Sequence, residues 1–414
     1  MTNFFAAQDI VGGENLHALS VLAVGALSFG LASFALTRKA AKLTRIPIVA
    51  ALIGGGWMFF GVGLLLGPVG FHFLTSESIT ELGPLLQLGL AWIGLLVGLQ
   101  AKRAVMAEIP SVLWKWIAVD CAASVIIGVV ITGVTLIWIA PEATWGALCF
   151  PCILIGCATI GWTAELRSLR GLDARSPRLG TLTQAGAGLA VIIAITIHGI
   201  VSLNTSVLSD GTIALNPGWG SLGFIITLLV AGVCAMAMRL LLQRESWNDG
   251  RIIVSLIGTL ALIAGVATVL DGSPMFGACA LGVMIANMRS GAMRKLERVI
   301  TGSETAVASI FFLLAGAMVN PIVAWWPWII AVIVLAFRVV FKVPVTRIFS
   351  GNMWIERGAD SVHFATIRQA PIAIPLAIAS QLERADNVQS AMLLVLATVG
   401  VLSNIIPLLW RRQA

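Results

Sequence analysis

Asp120 is the only acidic side chain well inside an apolar stretch of this 414-residue chain, in the run Trp116-Ile117-Ala118-Val119-Asp120-Cys121-Ala122. Burying a carboxylate in hydrocarbon costs on the order of a few kcal/mol or more, so such a group is a functional candidate whose partner must be found. At a helical rise of about 1.5 Å per residue it lies roughly 8 Å beyond Lys115. Arg368 is the one basic residue inside another apolar stretch, entering from the same face to a similar depth. The placement predicts an Asp120–Arg368 ion pair, which lowers the desolvation cost of both groups. Such a pair is either a proton-sensitive gate or a structural clasp. An Arg partner holds a carboxylate ionised and therefore points to the clasp.

The other reactive residue types carry weaker signals. His198 sits toward the end of an apolar stretch, where a lone imidazole reads as a hydrogen-bonded interfacial residue, with a proton carrier as the alternative. All six cysteines, Cys121, Cys149, Cys152, Cys157, Cys234 and Cys279, fall in or at the ends of apolar stretches. There Cys acts as a small hydrophobe, and Cys149-Phe150-Pro151-Cys152 lacks the soluble context of a redox motif. Glu304 could cap a helix within Thr301-Gly302-Ser303-Glu304. No Walker loop, zinc-binding His/Glu spacing or nucleophile elbow is present, so no enzyme, cofactor or metal centre is expected.

The elements that must position these groups are membrane helices. With 58% hydrophobic residues, 11% charged and a mean hydropathy of +0.98, the chain has too little polar surface for a soluble domain. Thirteen spans are predicted: 16–36, 48–68, 83–99, 112–139, 144–163, 180–203, 219–242, 251–270, 274–288, 304–319, 322–341, 361–381 and 389–409. Counted by connection, 24 of the 26 Lys and Arg fall on one side, including Arg338 and Lys342 at the end of the eleventh span. The positive-inside rule then sets the N-terminus outside and the C-terminus in the cytoplasm, as in a bacterial inner membrane protein. The same rule accounts for the net charge of +7 without a nucleic acid partner. Trp57, Trp92, Trp138, Trp219, Trp325 and Trp410 lie near span ends, where an aromatic belt meets lipid headgroups.

Several spans are short, and two carry helix-breaking runs at matching places. If spans one to six (1–203) and eight to thirteen (251–414) are repeats joined by a linker helix, 219–242, the fifth member of each is marked: Gly156 to Gly161 in the first, Pro371 and Pro375 in the second. Each proline removes a backbone donor and frees a carbonyl that lipid cannot satisfy. Inverted repeats with discontinuous helices meeting near the midplane are the architecture of many secondary transporters. The second span, with Gly54, Gly55, Gly56, Gly61, Gly63 and Gly67, favours close helix contact at a domain or dimer interface.

Four segments, in order, resemble the monovalent cation:proton antiporter superfamily, in particular its second branch of bacterial sodium/proton and potassium-efflux antiporters. They are Gly61-Val62-Gly63-Leu64-Leu65-Leu66-Gly67-Pro68, Gln87 to Gln100, Phe276 to Asn287, and Phe311 to Met318. The resemblance implies an all-α fold of about thirteen transmembrane helices with crossed, discontinuous fifth and twelfth helices. A scaffold and a mobile core would work by elevator-type alternating access, commonly in a homodimer. Relatives often carry a cytoplasmic regulatory domain; here none is expected, and regulation would fall to a separate subunit.

This sequence departs from that pattern where the chemistry should be. The sixth helix of relatives carries one or two Asp; the stretch here is Leu182-Thr183-Gln184-Ala185-Gly186, and no carboxylate occurs between Asp173 and Asp210. Arg368-Gln369-Ala370 stands in place of "RGE", and Ala158-Thr159-Ile160 in place of "TSP". Gln and Thr do not titrate, so the standard proton-for-cation exchange does not carry over. Thr159, Thr183, Gln184 and Gln369 can still offer oxygen ligands to Na⁺ or K⁺, with help from freed carbonyls. The expected function is a secondary transporter of a small monovalent cation and possibly a proton. A transport-inactive membrane subunit or sensor is the alternative, as is a carrier of an anion or neutral solute, favoured by helix N-termini at the crossing.

Overall fold

The computed structural model describes residues 56–74, 81–139, 145–160, 177–207, 213–242, 249–288, 303–319, 325–342, 367–383 and 387–410, with isolated positions between them. The first predicted span and Gly161 lie outside these residues, as do the side chains of Thr183 and Gln184. The helices are α1 (Trp57–Leu66), α2 (Gly83–Gly98), the short α3 (Arg103–Ala107), α4 (Ser111–Ile139), α5 (Trp145–Ile160) and α6 (Pro177–Leu203). They continue with α7 (Pro217–Leu242), α8 (Asp249–Val269), α9 (Pro274–Ala286), α10 (Glu304–Met318), α11 (Trp326–Phe337), α12 (Ala373–Glu383) and α13 (Asn387–Trp410). From α4 onward these numbers coincide with the predicted spans.

One element departs from an all-helical chain. Strands β1 (Thr205–Val207) and β2 (Ile213–Leu215) pair antiparallel after α6, with Thr205 opposite Leu215. The ribbon lies on the outer side, where backbone polar groups can be met by water as well as by each other.

The helices sort into two bundles by what they touch. α1, α2, α7, α8, α9 and α10 form a scaffold, and α4, α5, α6, α11, α12 and α13 form a core. Within the scaffold α1 packs on α10 and α2 on α9. Small residues make both contacts. A Cβ at Gly63 would run into the Leu313 carbonyl, and one at Gly94 into the Met275 carbonyl. With little hydrophobic drive between helices in lipid, such backbone proximity supplies the dispersion contacts that hold the pair. Gly56, Gly63 and Gly67 of the second span therefore serve an intrachain contact with α10.

Because the obstruction at Gly94 is backbone, Gly94→Ala must part α2 from α9. The expected loss is about 1–3 kcal/mol or more, read as a lower unfolding temperature in detergent, whereas Gly83→Ala, where nothing lies within reach of the new methyl, should be silent.

Outward faces are apolar, as lipid demands. Ile126, Val130 and Val134 of α4 and Leu229 and Val233 of α7 are exposed, while Asp120, Thr159, Arg338 and Lys342 are buried. That is the inverse of a soluble surface.

Candidate functional site

The twelfth span breaks where Pro371 stands. Helix at Ile367 lapses through residues 368–372 and resumes as α12 at Ala373. Pro371 has no N–H for the carbonyl four residues earlier, Ile367, and it disfavours helical backbone at Ala370. Pro375 is not part of the break. It lies in the first turn of α12, where the missing N–H has no intrahelical partner to lose.

The orphaned carbonyl is taken by a buried cation. Arg338 Nε donates to Ile367 O at 3.0 Å, Nη2 to Arg368 O at 2.9 Å, and Nη1 to Thr159 O of α5 at 2.7 Å. One guanidinium thus ties the end of α5 to the chain at the break. The partial negative charge of helix C-terminal carbonyls makes this a favourable place for a cation.

Lys342 completes the cluster. Its ammonium donates to Asp120 Oδ2 of α4 at 3.1 Å and to Ile160 O of α5 at 3.2 Å, with 0% of Lys342 and 2% of Asp120 exposed. Both cations sit on a π-helical turn, Arg338–Lys342, that continues α11. A π-turn widens the helix locally and occurs often at functional sites.

The structure therefore corrects the predicted pair. Asp120 is bridged to Lys342 and not to Arg368, because Lys342 reaches it from α11, the helix packed against α4. Arg338 and Lys342, counted above among the cytoplasmic charges, are wholly buried in the core. A hint was available: Val339, Val340, Phe341 and Val343 carry the apolar stretch past both residues, and a spacing of four puts the two cations on one helical face.

Of the predicted ligands, Thr159 and Gln369 come to this crossing. The Thr159 hydroxyl donates to Gly156 O at 2.7 Å, leaving its lone pairs as acceptors. Gln369 is 2% exposed, its N–H donates to Ser403 Oγ of α13 at 3.1 Å, and neither Nε2 nor Oε1 of its amide meets a hydrogen-bonding partner. A buried amide unmatched at both ends marks a place where something else belongs. Thr183 and Gln184 lie on the described backbone of α6, beyond which nothing is described of them. Gly156, predicted as a breaker, is helical; α4 and α5 approach closely here, since a Cβ at Gly128 would strike the Gly156 backbone and one at Gly156 would press on the Val125 backbone.

A cavity of about 230 Å³ opens on the outer side between the bundles. Gln87 of α2 and Asp271 and Pro274 at the α8–α9 turn line it from the scaffold; Ala379, Leu382 and Glu383 of α12 line it from the core. Ala379 stands about 9 Å along the helix from Ala373, so the cavity leads from the outer surface toward the break.

A polytopic helical fold with paired bundles, a broken twelfth helix and buried charges at its crossing defines a membrane protein of the inverted-repeat type. The family described as sodium/hydrogen exchanger, transmembrane, matches residues 29–412, and the chain belongs to it. Among solved structures 45 chains match, including the sodium proton antiporter MjNhaP1 from Methanocaldococcus jannaschii at pH 8, with 14% identity, a TM-score of 0.65, and coverage of 95% of this chain and 97% of that one. At that identity the likeness shows the fold. A search of the curated proteins found no match.

Proposed function

We propose that the chain is a secondary transporter exchanging Na⁺ or K⁺ for protons by elevator-type alternating access, with Asp120 and Lys342 as the exchange couple and Gln369 as an additional ligand. Membership of the sodium/hydrogen exchanger family supports the class of substrate. One observation carries the mechanism. Two oxygens that hold the Lys342 ammonium, Asp120 Oδ2 and Ile160 O, are a carboxylate and a backbone carbonyl, the ligands a partly dehydrated alkali cation takes.

A cation arriving at those oxygens displaces the ammonium. Keeping the charge of a buried site constant then requires Lys342 to lose its proton, so cation in and proton out balance. The partner's identity makes this step possible, since a guanidinium does not deprotonate in proteins whereas a lysine in a buried site can. The carboxylates missing from the sixth helix are thereby replaced by an acid and an amine from α4 and α11. Each of the three guanidinium nitrogens of Arg338 donates to a carbonyl, which disfavours an anion there.

In this reading the core moves against the scaffold. The repeats are 1–203 and 251–414, with 219–242 as linker, and the functional unit is a homodimer in a bacterial inner membrane. The test is dye quenching in proteoliposomes holding an acid-inside gradient. Addition of Na⁺ or K⁺ is expected to restore fluorescence, and Gln369→Ala to raise the cation concentration for half-maximal recovery by about tenfold, the equivalent of one or two lost ligand contacts. Recovery with no cation would leave the inactive-subunit reading, and recovery with anions alone would replace the substrate class.

A further inference from the structure

The outer cavity holds a second acid that the exchange couple does not use. Glu383, the last residue of α12, accepts a hydrogen bond from Ser202 Oγ of α6 at 2.7 Å. The same Ser202 oxygen lies 3.2 Å from the backbone carbonyl of Asp271. Ser202 and Glu383 belong to the core, whereas Asp271 belongs to the scaffold turn. A serine hydroxyl has one proton, so it can serve one of these acceptors fully at a time.

The turn holds its carbonyl in a fixed place. α8 ends in a Schellman motif, with Gly272 N donating to Ala267 O at 2.8 Å, Asp271 N to Thr268 O at 3.3 Å, and Asp271 at φ 51°. Left-handed backbone at a non-glycine residue is uncommon, and Asp is among the side chains that tolerate it.

We propose that Glu383 is a proton-binding site at the outer mouth and that Ser202 turns its protonation into a latch between core and scaffold. With Glu383 ionised, the Ser202 proton points to the carboxylate and the Asp271 carbonyl receives none. When Glu383 takes a proton from the cavity, its own O–H donates to Ser202 Oγ. The Ser202 proton then turns to the Asp271 carbonyl and joins α12, α6 and the α8–α9 turn in one chain. One proton is taken up, and no other bond changes. Acid outside thus holds the core against the scaffold and slows exchange when external protons are abundant.

Among the described residues, Asp271 lines the same cavity as Glu383, His198 lies one turn from Ser202 on α6, and Glu81 precedes α2. The α5 helix carries no titratable side chains other than its cysteines, α13 and the outer end of α10 carry no charged or titratable side chain, and Arg384 and Asp386 follow in the sequence. Glu383 is the carboxylate whose proton reaches a bond between the bundles.

The latch rests on the reading that the core moves, and the test separates the two. Spin labels at Val269→Cys on the scaffold and Leu382→Cys on the core report their separation in full-length protein by electron double resonance. Between about pH 8 and about pH 4, a range that crosses ordinary carboxylate titration, the short-distance population is expected to rise at least about threefold. Glu383→Gln, whose amide donates as the protonated acid does, should hold the short distance at both pH values. Ser202→Ala should lose it at both. Hydrogen exchange of the α8–α9 turn in unlabelled protein should slow in acid in the same pattern, which guards against a labelled variant that folds poorly. A pH response surviving in Ser202→Ala, or an open distance in Glu383→Gln, overturns the latch. A distance that changes with Na⁺ and not with pH also overturns it, while leaving the moving core intact. A single fixed distance under every condition overturns both.

Discussion

Replacing Lys342 with Met is expected to cost the folded protein about 3–5 kcal/mol, because it leaves the Asp120 carboxylate in the core without its cation. The size of the effect comes from what remains behind. A buried pair contributes little net stability over an apolar pair of similar volume, since desolvation offsets the attraction. The double variant Asp120→Leu/Lys342→Met should therefore recover most or all of the loss. Thermal unfolding in detergent across the native protein, the two single variants and the double variant gives the coupling between the residues. Additive losses would mean that the two groups do not act as a pair.

Arg338 should show the second large effect, for a different reason. It donates to three buried carbonyls, and each one left unmet costs about 1–3 kcal/mol. Arg338→Met is expected to abolish accumulation of folded protein, and Arg338→Lys to rescue it only in part, since one ammonium cannot replace a planar fork spanning two helices. A second-site change makes the argument specific. In Arg338→Met/Pro371→Ala the new alanine N–H can reach Ile367 O, so part of the stability should return as the break closes. Transport should not return with it, because the reading needs that break.

How much of this was legible in the sequence follows from what each signal measures. Hydropathy and the positive-inside asymmetry located the helices, since both follow from the bilayer as solvent. Pro371 marked the break, since a missing N–H acts on its own chain four residues away. The partner of Asp120 was another matter. Lys342 stands at the end of an apolar stretch, where a lysine ordinarily snorkels to water, and only the packing of α11 on α4 turns it inward. The place of Arg368 along the membrane normal can be read from the sequence, whereas its place around the bundle cannot. The β1–β2 ribbon went unnoticed although Asp210-Gly211 between β-branched residues is a hairpin signal, because two strands of three residues barely register in a hydropathy profile. Gly156 was assigned to a break because glycine serves breaks and close helix contacts alike, and which of these holds is decided by the neighbouring helix.

The most direct test of the exchange couple is transport by the Asp120→Leu/Lys342→Met double variant, whose fold is expected to survive. Reconstituted beside native protein in vesicles with an acid interior, it should give no fluorescence recovery with Na⁺ or K⁺ at any pH where the native protein responds. Recovery at the native rate and with the native pH profile would show that cation and proton exchange elsewhere, and would remove Asp120 and Lys342 from the mechanism.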